Sequence, residues 1–95
     1  MGIWLVKPGR EDDFVAAWQE MADWTMREVD GAQAGGTLLR DRDHGSRFVS
    51  FGPWPDDETV AAWRDSPGFQ ERVSRIRNFL EEFNPATLDP VAVQG

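Results

Sequence analysis

Few side chains in this sequence have the chemistry of a catalyst. The single histidine, His44, is the obvious general base, but Asp41-Arg42-Asp43-His44-Gly45-Ser46 reads as a hairpin tip, where side chains face water. Arg40 and Arg47 flank that hairpin. Each can offer a bidentate contact to an enolate or phenolate, or pair with Asp41 or Asp43. Trp63 lies on a helical segment with Val60 three residues before it. Its indole can wall a pocket and point its N–H at a ligand oxygen, or pack helix against sheet; either way a buried indole N–H needs a partner. Trp54, held between Pro53 and Pro55, suits a pocket mouth or an interface rim. Gly35-Gly36 lacks the spacing and the lysine of a phosphate-binding loop.

Composition narrows the chemistry further. The chain has 95 residues, five Trp, six Phe, no Tyr and no Cys. Without Cys there are no disulfides, thiolate nucleophiles or thiolate metal sites. Few groups titrate near neutrality, so any reaction leans on an activated substrate. The net charge of −7, without a basic block, argues against nucleic acid. No run approaches the roughly 20 apolar residues of a membrane span, and the N-terminus lacks a signal-peptide pattern. The expectation is one cytoplasmic domain over residues 1–95.

The elements that position these residues follow from pattern. Ile3 to Val6 is a short apolar run closed by Lys7-Pro8-Gly9, which predicts a buried strand. Glu11-Asp12-Asp13 suits a helix N-terminus, and Phe14, Trp18, Met21 and Thr25 recur at helical spacing, predicting a helix from Glu11 to Glu28. Trp24 lies off that stripe. Thr37–Asp41 and Arg47–Phe51 predict a hairpin. Asp56-Asp57 opens a short helix carrying Val60 and Trp63, and Ser66-Pro67 opens another. In the latter, Phe69, Val73, Ile76, Leu80 and Phe83 form a stripe that predicts helix up to Asn84-Pro85. Thr87 to Val93 is the expected last strand, with Pro90 keeping it at an edge.

The order β-α-β-β-α-β gives an α+β, ferredoxin-like fold with a four-stranded antiparallel sheet. Its helices cover one sheet face, yet both faces are apolar: Ile3 and Leu5 oppose Trp4 and Val6, Leu38 opposes Leu39, and Phe48 opposes Val49 and Phe51. An uncovered apolar face is an interaction surface. The expectation is a homodimer through that face, with Trp4 at the junction.

The stretches Val6-Lys7-Pro8-Gly9-Arg10 with Phe14, Thr37-Leu38-Leu39-Arg40-Asp41, Arg47-Phe48-Val49-Ser50-Phe51, Trp54 and Ala62-Trp63-Arg64-Asp65-Ser66-Pro67-Gly68-Phe69 together resemble the antibiotic biosynthesis monooxygenase family. That resemblance implies a dimeric α+β barrel with a pocket between sheet and helices in each subunit. It implies a cofactor-independent monooxygenase that brings O2 to an aromatic or polyketide-like small molecule. Trp63 matches the family's functional Trp and is the catalytic candidate. Thr59 stands where polyketide-oxidising members have Asn, and it joins Phe51, Trp54 and Trp24 as candidate substrate-binding residues. The haem-degrading branch fits poorly: its His position falls on Val73 and the first strand has no Asn. The alternatives are a non-catalytic ligand-binding or dimerisation module of the same fold, or a polyketide cyclase or isomerase.

Overall fold

The computed structural model describes residues 1–92 and 94. Its elements are β1 (Gly2–Val6), α1 (Glu11–Glu28), β2 (Thr37–Arg40), β3 (Arg47–Phe51), α2 (Asp57–Asp65), α3 (Pro67–Arg77) and β4 (Leu80–Pro85). The sheet order is β2-β3-β1-β4, and every neighbouring pair is antiparallel.

Local chemistry sets the boundaries. Gly9 takes a left-handed conformation (φ +88°) at the turn into α1, and Glu11, Asp12 and Asp13 fill its first turn. Asp56 caps α2 by accepting from the Thr59 N–H at 2.8 Å. Ser66 caps α3 by accepting from the Phe69 N–H at 3.2 Å, with Pro67 just inside the helix. Asp41 ends β2 and shapes the hairpin: one carboxylate oxygen accepts from the Asp43 N–H at 2.9 Å, the other from Arg47 at 3.1 Å.

The C-terminal part departs from the sequence expectation. The last helix ends at Arg77, and Leu80 and Phe83 belong to β4. No strand covers the described part of Thr87–Val93; Val93 lies outside the described residues. The reason is a register shift opposite Leu5/Val6: Val6 pairs with Leu80, Leu5 with Glu82 and Trp4 with Phe83. One extra residue in β4 puts Leu80 and Phe83 on the same face although they are three apart. A bulged strand therefore shows the spacing of a helix.

The core lies between the helices and one sheet face. Trp4, Val6, Phe48 and Leu80 from the sheet meet Phe14, Met21, Val73 and Ile76 from α1 and α3. Trp4 belongs here and not at the opposite face: it is 3% exposed, stacks on Phe83 at 3.9 Å, and donates its indole N–H to Ser50 Oγ at 2.8 Å. Alternation then sends Ile3, Leu5, Leu39, Val49 and Phe51 to the other face. No helix covers it, and Leu39 and Phe51 are each 50% exposed. The result is a slab 18 Å thick and 35 Å across.

Candidate functional site

Two crevices flank α1 on the helix side. The first, of about 420 Å³, lies between the C-terminal turn of α1 and α2, and Val29, Thr59, Ala62, Trp63 and Ser66 line it. Its remaining lining is acidic: Glu28, Asp30 and Glu58. Gly31, at φ +85°, turns the chain away from α1, and a Cβ there would lie 3.6 Å from the Thr59 methyl. Trp63 forms the hub of an aromatic cluster, with ring centroids 4.8 Å from Trp54 and 4.4 Å from Phe69.

The polar side-chain atoms of Trp63 and Thr59 already have partners within the protein. The Trp63 indole N–H donates to Thr25 Oγ1 at 3.0 Å, and that hydroxyl donates to the Met21 carbonyl at 2.8 Å. The Thr59 hydroxyl donates to Asp56 Oδ1 at 2.7 Å. Those two Thr59 contacts hold the Asp56 carboxyl below its ordinary range, the backbone N–H contributing most. Trp63 thus ties α2 to α1 through a buried threonine and to α3 through Phe69.

The structure brings Trp63, Thr59 and Trp54 together but separates the other two candidates from them. Trp24 lies between α1 and α3, with the Arg72 guanidinium 4.2 Å over its ring and Gly68 against its edge. Phe51 stands on the open sheet face. His44 is exposed at the hairpin tip. Val73 is a core residue, 3% exposed.

The second crevice, of about 400 Å³, lies between α1 and the edge strand β2. Val15, Trp18, Leu38 and Phe48 supply apolar walls, and Gln19, Thr37 and Arg40 supply polar groups. Trp18, on the predicted α1 stripe, packs against the core and also walls this groove, while the sequence left Arg40 beside Arg47 as an equal partner for the hairpin carboxylates. In the fold, Arg47 takes Asp41, and Arg40 lies over the Phe48 ring, 5.0 Å from its centroid. The missed signal is strand alternation. Arg40 pairs with Phe48 across the ladder, so both side chains point to the helix side.

Among the described residues, no group of three or more His, Cys, Asp or Glu is arranged to hold a metal ion. No helix among the described residues is long and apolar enough to cross a membrane.

The family model described as antibiotic biosynthesis monooxygenase matches residues 3–75. No curated protein matches the chain. Among solved structures, a candidate antibiotic biosynthesis monooxygenase from Nitrosomonas europaea is similar with TM-score 0.81 and 16% identity, over 99% of this chain and 89% of that one. Another, from Bordetella bronchiseptica, gives TM-score 0.75 and 25% identity, over 92% of this chain and 93% of the other. A structure named antibiotic biosynthesis monooxygenase gives TM-score 0.80 at 18% identity, over 96% and 95% of the two chains.

Proposed function

Because the chain belongs to the antibiotic biosynthesis monooxygenase family, we propose that it is a cofactor-independent monooxygenase acting on an aromatic or polyketide-like small molecule. The observation that carries this reading is the Trp63 crevice, whose aromatic hub walls a space of about 420 Å³, within the range of small-molecule sites. An electron-rich phenol or anthrone activates itself once it loses a proton. The resulting carbanion reduces O2; one oxygen atom enters the product as a carbonyl and the other leaves as water. The protein's part is to orient the ring and exclude bulk water. Trp63 acts as a wall, since its N–H is taken by Thr25; Thr59 shapes the adjoining surface, and Trp54 buttresses Trp63.

In this reading the protein works in the cytoplasm as a homodimer joined through the face of Ile3, Leu5, Leu39, Val49 and Phe51. Exposed apolar area on one side of a thin slab supports that assembly. Phe51 then serves the interface.

A second reading, a non-catalytic ligand-binding or dimerisation module, is favoured by one observation: the polar atoms of Trp63 and Thr59 are already bonded within the protein. Oxygen uptake with anthrone, without flavin, metal or haem, separates the two. Uptake above the spontaneous rate that falls in Trp63→Phe supports the oxygenase. No acceleration, with a lowered melting temperature in Trp63→Phe, supports the module.

A further inference from the structure

The two crevices beside α1 differ in the sign of their charge. Glu28, Asp30 and Glu58 line the Trp63 crevice, whereas the α1–β2 groove contains no carboxylate among its lining residues and one cation, Arg40. The ion pairs among the described residues are Arg10–Asp13, Arg47–Asp41, Arg72–Glu20 and Arg75–Glu71, so Arg40 has no carboxylate of the described residues within 4.0 Å. Its charge is felt by Glu11, but that carboxylate is held by the Gly9 N–H and the Ser46 hydroxyl. The guanidinium instead lies over the Phe48 ring, which leaves its donors for an acceptor outside the chain.

The rest of the groove is shaped for a flat ring. Trp18 and Val15 come from α1, and Leu38 and Phe48 from the sheet. Gly36 keeps the groove open beside Trp18: even a Cβ there would touch Trp18 Cη2 at 3.9 Å, and a longer side chain would enter the space. The Thr37 hydroxyl donates to the Gly35 carbonyl and the Gln19 amide donates to Asp23 Oδ1 at 3.1 Å, so Arg40 is the group left to read a polar substituent. The groove is on the helix side, so association through the opposite sheet face leaves it accessible.

We propose that the α1–β2 groove is a binding site for a planar aromatic molecule carrying one ionised oxygen group, a carboxylate, phenolate or enolate. The ring lies against Trp18 and Leu38, and the anionic oxygen meets the Arg40 guanidinium. The site is separate from the Trp63 crevice and does not depend on the oxygenase reading. Where that reading also holds, this groove favours the conjugate base of an acidic phenol over the neutral molecule, because the cation stabilises only the charged form.

The test uses the full chain and two near-isosteric probes, 2-naphthoate and 2-naphthamide, which differ in charge. Calorimetry gives the dissociation constants, and the five indole N–H resonances locate the ligand. We expect naphthoate to bind about tenfold more tightly than naphthamide, the scale of a hydrogen bond to a charged group, and to move the Trp18 resonance most. Arg40→Met keeps the aliphatic stem and removes the preference. Trp18→Leu weakens both probes; should it fold poorly, Arg40→Met decides alone, since that side chain is exposed. Equal affinity for the two probes, binding of neither, a preference surviving Arg40→Met, or a largest shift at Trp63 overturns the proposal. None of these readouts requires turnover, so an inactive protein in the oxygen assay leaves this test intact.

Discussion

A methyl group added at Gly68 collides with the indole of Trp24. The Cβ would lie 2.1 Å from Cζ2, 2.7 Å from Cη2 and 3.0 Å from Cε2 of that ring. Carbon atoms in contact prefer about 3.5–4.0 Å, so the ring must retreat by roughly 1.5 Å. It cannot do so freely, because Arg72 lies across its face at 4.2 Å and is itself bonded to Glu20. Overpacking of this kind costs about 1–3 kcal/mol. Alanine returns up to about 1 kcal/mol of helix propensity within α3. The net expectation for Gly68→Ala is a loss of about 1–2 kcal/mol, or a melting temperature lower by roughly 5–15 °C in a domain of this size. Thermal denaturation followed by near-ultraviolet circular dichroism at fixed protein concentration measures it. In a Trp24→Leu background the added methyl should be neutral or stabilising, because the obstructing ring is gone. A Gly68→Ala protein as stable as the parent, or an equal loss in both backgrounds, refutes this account of the α1–α3 contact.

Three further expectations follow from the same geometry. Ser50→Ala leaves the buried Trp4 N–H without its acceptor and should cost about 1–3 kcal/mol, read in a denaturant titration; an unchanged midpoint would count against it. Thr25→Val keeps the shape but orphans the Trp63 N–H, and should lower stability and alter tryptophan emission together. The Asp56 carboxyl is held below its ordinary range by the N–H and hydroxyl of Thr59. Its contribution is therefore present above the unfolded value of about 3.9 and is lost as pH falls through the lower folded value. Melting temperatures measured down an acid series should decline less in Asp56→Asn, which keeps an N-cap acceptor without titrating; parallel curves for the two proteins would refute it.

The parts of the fold written in local chemistry were legible. Gly9, the acidic turn at Glu11, the Asp56 and Ser66 caps and the alternation of β1 and β3 each act within a few residues. The β4 boundary was hidden because a bulge gave Leu80 and Phe83 helical spacing, and only the partner strand reveals it. Trp63 was identifiable as an indole needing an acceptor, but Thr25, 38 residues away in sequence, could be found only in three dimensions. Arg40 and Arg47 looked equivalent beside Asp41. They lie on opposite faces of the hairpin, and that placement decides which one pairs with the carboxylate.

The bulge in β4 also bears on how copies of this chain can meet. A four-stranded sheet has two free edges, here β2 and β4, and unpaired edges invite strands from neighbouring molecules. The β4 edge is irregular where the register shifts, carries Glu81 and Glu82, and ends at Pro85, which has no N–H to donate. The β2 edge is only four residues long. Both borders therefore resist open-ended growth of the sheet into fibres. In the proposed assembly the apolar surface of Leu39, Val49 and Phe51 would meet a partner broadside, and a two-fold contact there would close on itself after two copies.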